Sequence, residues 1–431
     1  MTERKQVWFE EANSRLDPGL VGQLMKKRKE DPNETSEDTL PVIVKVYQNC
    51  TKDMKEDLLK TCAGDSCNTL NDDMEILHSL YGDLTPQKIR ELKDHEAVER
   101  IFYDRDVTAF LDVATNEINA VEAQQDLGFT GNDITIAVID SGVFPHPDLT
   151  KPENRIVAFK DFVNKQEEPY DDNGHGTHCC GDAAGNGHQS NGKYTGPAPA
   201  ASIVGVKVLN EKGGGKLSTI IRGIEWCMKH REKFGIRIIS LSLGAEAYES
   251  YRDDPLTQAT QKAWHSGIVV CAAAGNDGPS RSTISTPAID PFIITVGSAD
   301  DQNTVTRSDA VISKFSSRGP TIDELVKPDI YAPGSNIISL LSPGSALEKQ
   351  IPERVIDENY VSLSGTSMAT PICAGVIALM LEANPQLSPN DIKSILQATS
   401  QPTLADKWGY IHAKAAVEMA KDYVQQVQKV T

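Results

Sequence analysis

The chain has 431 residues, 39% of them hydrophobic and 24% charged, with a formal net charge of -18. That is enough apolar material for one large core and a smaller one, while the acidic balance argues against nucleic acid and membrane surfaces, which attract lysine and arginine. The opening MTERKQVWFEEANSR carries charge throughout and offers no apolar signal core, and no run reaches the roughly 18 apolar residues of a membrane span.

Residues 1–40 are polar, and their KKRKEDPNETSED run reads as a solvated helix end passing into a linker, an N-terminal extension. A regular pattern follows. PVIVKVY (41–47) predicts a strand, KDMKEDLLKTC (52–62) an amphipathic helix, and MEILHSLYG (74–82) a second strand. TPQKIRELKDHEA (85–97) opens on Thr-Pro, a helix start, and VERIFYDRDVTAF (98–110) closes as a strand. Residues 41–111 thus make a small α+β domain.

From residue 131 the grammar changes, and residues 112–431 read as one large domain. The apolar runs ITIAVID, SIVGVKVL, IRIISLSLG, IVVCAAAG and FIITVGSA alternate with helical stretches. Strands apolar throughout and separated by helices predict an α/β fold with a mostly parallel central sheet covered on both faces. Working residues in such sheets lie beyond the carboxyl ends of the strands. There the sequence places Asp140, ending VID, and Asn276, after CAAAG; Ser367 precedes a strongly apolar helix. Pro371 suits the first turn of that helix, where amides lack internal partners. DDNGHGTHCCGD (171–182) suits either a zinc site or one histidine at a helix start. Cys227, Cys271 and Cys373 lie in apolar runs, where a reduced thiol packs as a small hydrophobe. Reduced cysteines and a cytoplasmic location are therefore expected.

VIDSGVFPHPDL, DDNGHGTHCCGDAA, SLSLG, AAAGNDGP and SGTSMATP together resemble the signature blocks of the subtilisin-like serine peptidases, in that family's order, across residues 116–416. VNKQEEPYDDNGHGTHC and YTGPAPAASIVGVKVLN are most similar to its cytoplasmic AprX-type branch. The resemblance implies Ser367 as nucleophile, His175 as general base, Asp140 as its orienting carboxylate and Asn276 as oxyanion donor. Gly213, Gly214 and Gly215, with Ser242, Leu243 and Gly244, would pair with an extended peptide. Leu217, Ile220 and Leu243 would wall one apolar subsite; Ala273, Ala274 and Gly275 would line another, with Asp277 at its rim.

The same likeness implies a broad, apolar-leaning specificity for protein and peptide substrates, and no catalytic metal. Asp148 matches a calcium ligand of the family and residues 185–196 occupy its calcium loop, so one structural calcium is expected. His178 becomes a packed helix residue. Cys179, at i+4 from His175, falls on the same helical face, a candidate reactive thiol beside the triad. The small domain resembles the family's inhibitory propeptide, an intramolecular inhibitor removed by autoprocessing near the Phe110–Leu111 bond.

Overall fold

The apolar runs are strands of one sheet. In the computed structural model the described residues are 8–9, 15–16, 18–31, 38–47, 49–62, 67–74, 79–103, 111–302, 304, 309–402 and 409–428. They form two units, Met1–Val107 and Thr108–Thr431, dividing four residues before the boundary that composition suggested.

The first unit holds α1 (Pro18–Glu30), β1 (Leu40–Val46), α2 (Lys52–Lys60), β2 (Asn71–Met74), β3 (Ser79–Leu84), α3 (Pro86–Lys93) and β4 (Val98–Tyr103). Its sheet runs β2-β3-β1-β4, every pair antiparallel. The single strand expected at 74–82 is instead the end of β2 and the start of β3. Residues 1–40 contribute to this core: Leu16, Leu20 and Leu24 are buried with Val42, Val44, Leu80 and Ile101. The apolar residues of α1 were hidden by the basic run that follows them.

In the second unit, β5 (Thr135–Asp140), β6 (Ile156–Asp161), β7 (Ser202–Lys207), β8 (Ile236–Leu241), β9 (Val269–Ala273), β10 (Ile294–Asp300) and β11 (Ile330–Pro333) lie in the order β11-β10-β9-β8-β5-β7-β6. All these pairs are parallel. β5 is buried at every position, as a strand covered on both faces must be. It is also where the order reverses, with β6 and β7 on one side and β8 onward on the other. A crevice opens at the carboxyl end of such a strand, and Asp140 stands there.

Two helices carry the other working residues, α4 (His175–Ala184) and α6 (Thr366–Ala383), with α5 (Leu217–Lys229) between them in sequence. The 18 residues of α6 are apolar enough to cross a membrane, but 83% of that stretch is buried inside the fold. Pro371 lies in its second turn, not its first. Proline brings no N–H to the Ser367 carbonyl one turn back, and that carbonyl accepts from Ser242 Oγ at 2.7 Å and from Cys179 Sγ at 3.5 Å.

Candidate active site

Asp140 is fully buried, and its Oδ1 accepts from its neighbour's amide, Ser141 N, at 2.7 Å and from His175 Nδ1 at 2.8 Å. The imidazole keeps 24% of its side-chain surface exposed. Burial disfavours the imidazolium, but the charge and hydrogen bond of Asp140, helped by Cys179, hold the His175 pKa well above 6.5. Gly174 supplies the left-handed backbone (φ 103°) that starts α4.

The cap of α4 comes from Asp171, which the sequence reading passed over. Its Oδ1 accepts from Ser141 Oγ, Asn173 N and Gly174 N, and its Oδ2 from Thr177 N and Oγ1, all at 2.7–3.2 Å. Beneath this turn the fully buried Lys207 donates to Asp172 Oδ1 and Ser141 O at 2.6 Å and to Leu209 O at 2.9 Å.

Ser367, second residue of α6, donates its hydroxyl to Ser242 O at 3.1 Å. Cys179 Sγ lies 3.8 Å from His175 Nδ1 and 3.5 Å from Ser367 O, so one thiol spans the histidine and serine segments. Asn276 Oδ1 accepts from Thr366 N at 3.0 Å and Thr366 Oγ1 at 3.1 Å. With its oxygen so committed, the exposed amide presents Nδ2 as its free donor. Thr366, also missed from sequence, therefore sets which way Asn276 faces.

Two cavities flank this cluster. One, of about 300 Å³, is lined by Ser242, Leu243, Gly244, Ala273, Gly275, Asn276, Asp277 and Ser367, with Glu246 and Ser285 in addition. Ala274 is not among them: it is fully buried in the core, and its carbonyl accepts from Ser285 N and Oγ. Strand alternation explains this, since Ala273 and Ala274 face opposite ways. The other cavity, about 450 Å³, is lined by His175, Gly213, Gly214, Gly215, Leu217, Ile220, Ser242, Leu243 and Gly244, and also by Leu209, Leu256 and Leu347.

The zinc alternative fails on donors. Asp140, His175 and Cys179 bring three ligand atoms within 4.8 Å of one another, but two of them are hydrogen-bonded to each other at 2.8 Å. His178 turns away: Nδ1 meets Asp182 Oδ2 at 2.9 Å, and Nε2 meets Ile337 O and Val361 O at 3.1 Å. Cys179 does lie beside His175, yet it is fully buried and burial pushes its pKa up to about 11, so it is an inert thiol rather than a reactive thiolate. Asp148, expected to bind calcium, is fully buried, with Oδ1 accepting from Gln189 N and Oδ2 from Tyr360 OH, both at 2.8 Å. Calcium needs six to eight oxygen ligands, and these residues do not fit it.

Residues 131–420 match the model of the subtilase family. The chain is 47% identical over 333 residues to serine protease AprX of Bacillus subtilis strain 168, covering 76% of this chain and 74% of that protein. It is 32% identical to a thermostable alkaline protease of Halalkalibacterium halodurans over 80% of this chain and 86% of the relative. Among solved structures, sphericase superposes with a TM-score of 0.55 at 29% identity, covering 69% of this chain and 97% of its own. A buried carboxylate bonded to a partly exposed histidine, a serine at a helix start and a free amide donor, at the switch point of a parallel sheet, are thus carried on a chain that belongs to the subtilase family of serine proteases.

Proposed function

We propose that the chain is a broad-specificity serine endopeptidase that works in the cytoplasm and is made as an autoprocessed zymogen. The observation that carries the chemistry is the 2.8 Å bond between Asp140 and His175 beside the Ser367 segment. On substrate binding the Ser367 hydroxyl turns from the Ser242 carbonyl to His175, which takes its proton as Oγ attacks the scissile carbonyl carbon. Asn276 Nδ2 and the Ser367 N–H stabilise the oxyanion. His175 then protonates the leaving amine, and water hydrolyses the acyl-enzyme by the reverse sequence. Asp140 stabilises the imidazolium throughout.

Substrate lies extended between Gly213–Gly215 and Ser242–Gly244, pairing through main chain, so affinity depends little on sequence. The leucine-lined cavity favours apolar residues at one position. Reduced, buried Cys179, Cys180, Cys227, Cys271 and Cys373 support a reducing compartment.

The small unit acts as tethered inhibitor until the linker is cut. Residues 104–110, and with them Phe110, lie outside the described residues; Leu111 begins a helix running to Glu117. A peptidase needs extended backbone, so the cut falls on the N-terminal side of that helix. Fluorophosphonate labelling of Ser367, hydrolysis of a fluorogenic peptide and N-terminal sequencing, each beside Ser367→Ala, test the reading. Labelling and peptide hydrolysis should vanish in the variant, and processing should be dilution-independent in the wild type and absent from the variant. An unlabelled wild type, or a variant that matures in pure form, refutes it.

A further inference from the structure

The surroundings of Asp148 do more than reject calcium. Its carboxylate holds the segment at residues 185–196 through the Gln189 amide, and holds Tyr360 through the phenol, each at 2.8 Å. The Asp148 amide donates to His146 Nδ1 at 3.1 Å, which makes Nε2 the protonated nitrogen, and that N–H donates to Asn359 O at 3.1 Å. The Arg155 guanidinium donates to the carbonyl of Asp148 and, at 2.8 Å, to that of Ala201. A positive charge therefore already lies close to the Asp148 carboxylate, which disfavours a divalent cation beside it. Two of the segment's own oxygens are also in use: Gly187 O accepts from Ser190 N and Gly192 N, and Asn186 Oδ1 accepts from His188 N. Tyr360 is packed edge-on against Tyr194, ring centroids 4.8 Å apart.

The two segments so joined both lead to the catalytic groups. Residues 185–196 follow directly on α4, which starts at His175; the strand Tyr360–Leu363 runs into the turn before Ser367. We propose that Asp148, clamped between the Gln189 amide and the Tyr360 phenol, is a protein-only lock that replaces a structural calcium and holds the end of the histidine helix to the strand entering the serine. Calcium then has no part in ordering this segment.

The test is hydrogen exchange on the full chain carrying Ser367→Ala, which prevents self-digestion, in excess EGTA and in millimolar calcium. The peptide spanning residues 185–196 should exchange equally in both. Tyr360→Phe, which removes one buried hydrogen bond, should speed that exchange about five- to tenfold in both media. Should Tyr360→Phe fold poorly, Asp148→Asn, which keeps shape and an acceptor for Gln189, should also speed exchange, independently of calcium. Slower exchange of this peptide in calcium than in EGTA with Asp148 and Tyr360 intact would overturn the proposal. So would unchanged exchange in a folded Tyr360→Phe.

Discussion

Asp182→Ala tests how α4 is held. His178 Nε2 faces two carbonyl oxygens and must carry a proton, while Nδ1 faces Asp182, so one further proton is shared between ring and carboxylate. Both side chains are fully buried. Alanine leaves the buried Nδ1 of His178 without its partner, which costs about 1–3 kcal/mol. At about 2 °C per kcal/mol for a unit of this size, Tm should fall by about 2–6 °C. Asp182→Asn can donate its amide to a neutral Nδ1 and should lose about half as much or less. Differential scanning fluorimetry in the Ser367→Ala background reads both. Equal losses in the two variants, or none in either, would refute the reasoning. Burial raises the Asp182 pKa above 3.8 and His178 offsets this only in part. The stabilisation is therefore full below pH 3.8 and declines as pH rises through the raised value; Asp182→Asn should lack that decline.

Asn276→Ala should lower kcat by about 10²–10³ with little change in KM, a magnitude taken over from subtilisin rather than worked out for this chain; a KM effect alone in steady-state kinetics would make Asn276 a pocket residue. If His175 is the neutral base of the proposed mechanism, its pKa held well above 6.5 means that kcat/KM should rise with pH through a midpoint above 6.5. Asp140→Asn should move that midpoint down in a pH–rate profile. Iodoacetamide should leave activity intact at neutral pH because Cys179 is buried and protonated; inactivation with mass-mapped alkylation of Cys179 would show that the segment opens.

The resemblance to the subtilisin-like signature blocks singled out Asp140, His175, Asn276 and Ser367; the pattern alone placed them only at the ends of apolar strands and at helix starts, where chemistry in a parallel sheet gathers. Their supports were not legible. Thr366 acts through bonds to Asn276, 90 residues away in the chain, which no local spacing encodes; Asp171 caps its own turn locally, but its tie to Ser141 spans 30 residues. Tyr360 meets Asp148 across 212 residues, so the expected calcium ligand looked available. Ala274 failed on strand alternation, where one residue's shift exchanges cleft for core. Pro371 was misplaced by one turn because the apolar run gives no clear helix start. In the small unit, strand order and the antiparallel pairing of β1 with β3 and β4 depend on packing that composition does not specify.

The bonds around Asp171 separate architecture from chemistry. Its carboxylate ties Ser141, beside the catalytic acid, to the turn that launches α4 without passing through Asp140 or His175. A variant lacking the His175 imidazole should therefore keep the turn that launches α4. On the proposed reading, a duplicated copy of this gene would be one substitution at Ser367 from a protein that binds extended chains without cutting them, a short evolutionary step from a protease to a decoy.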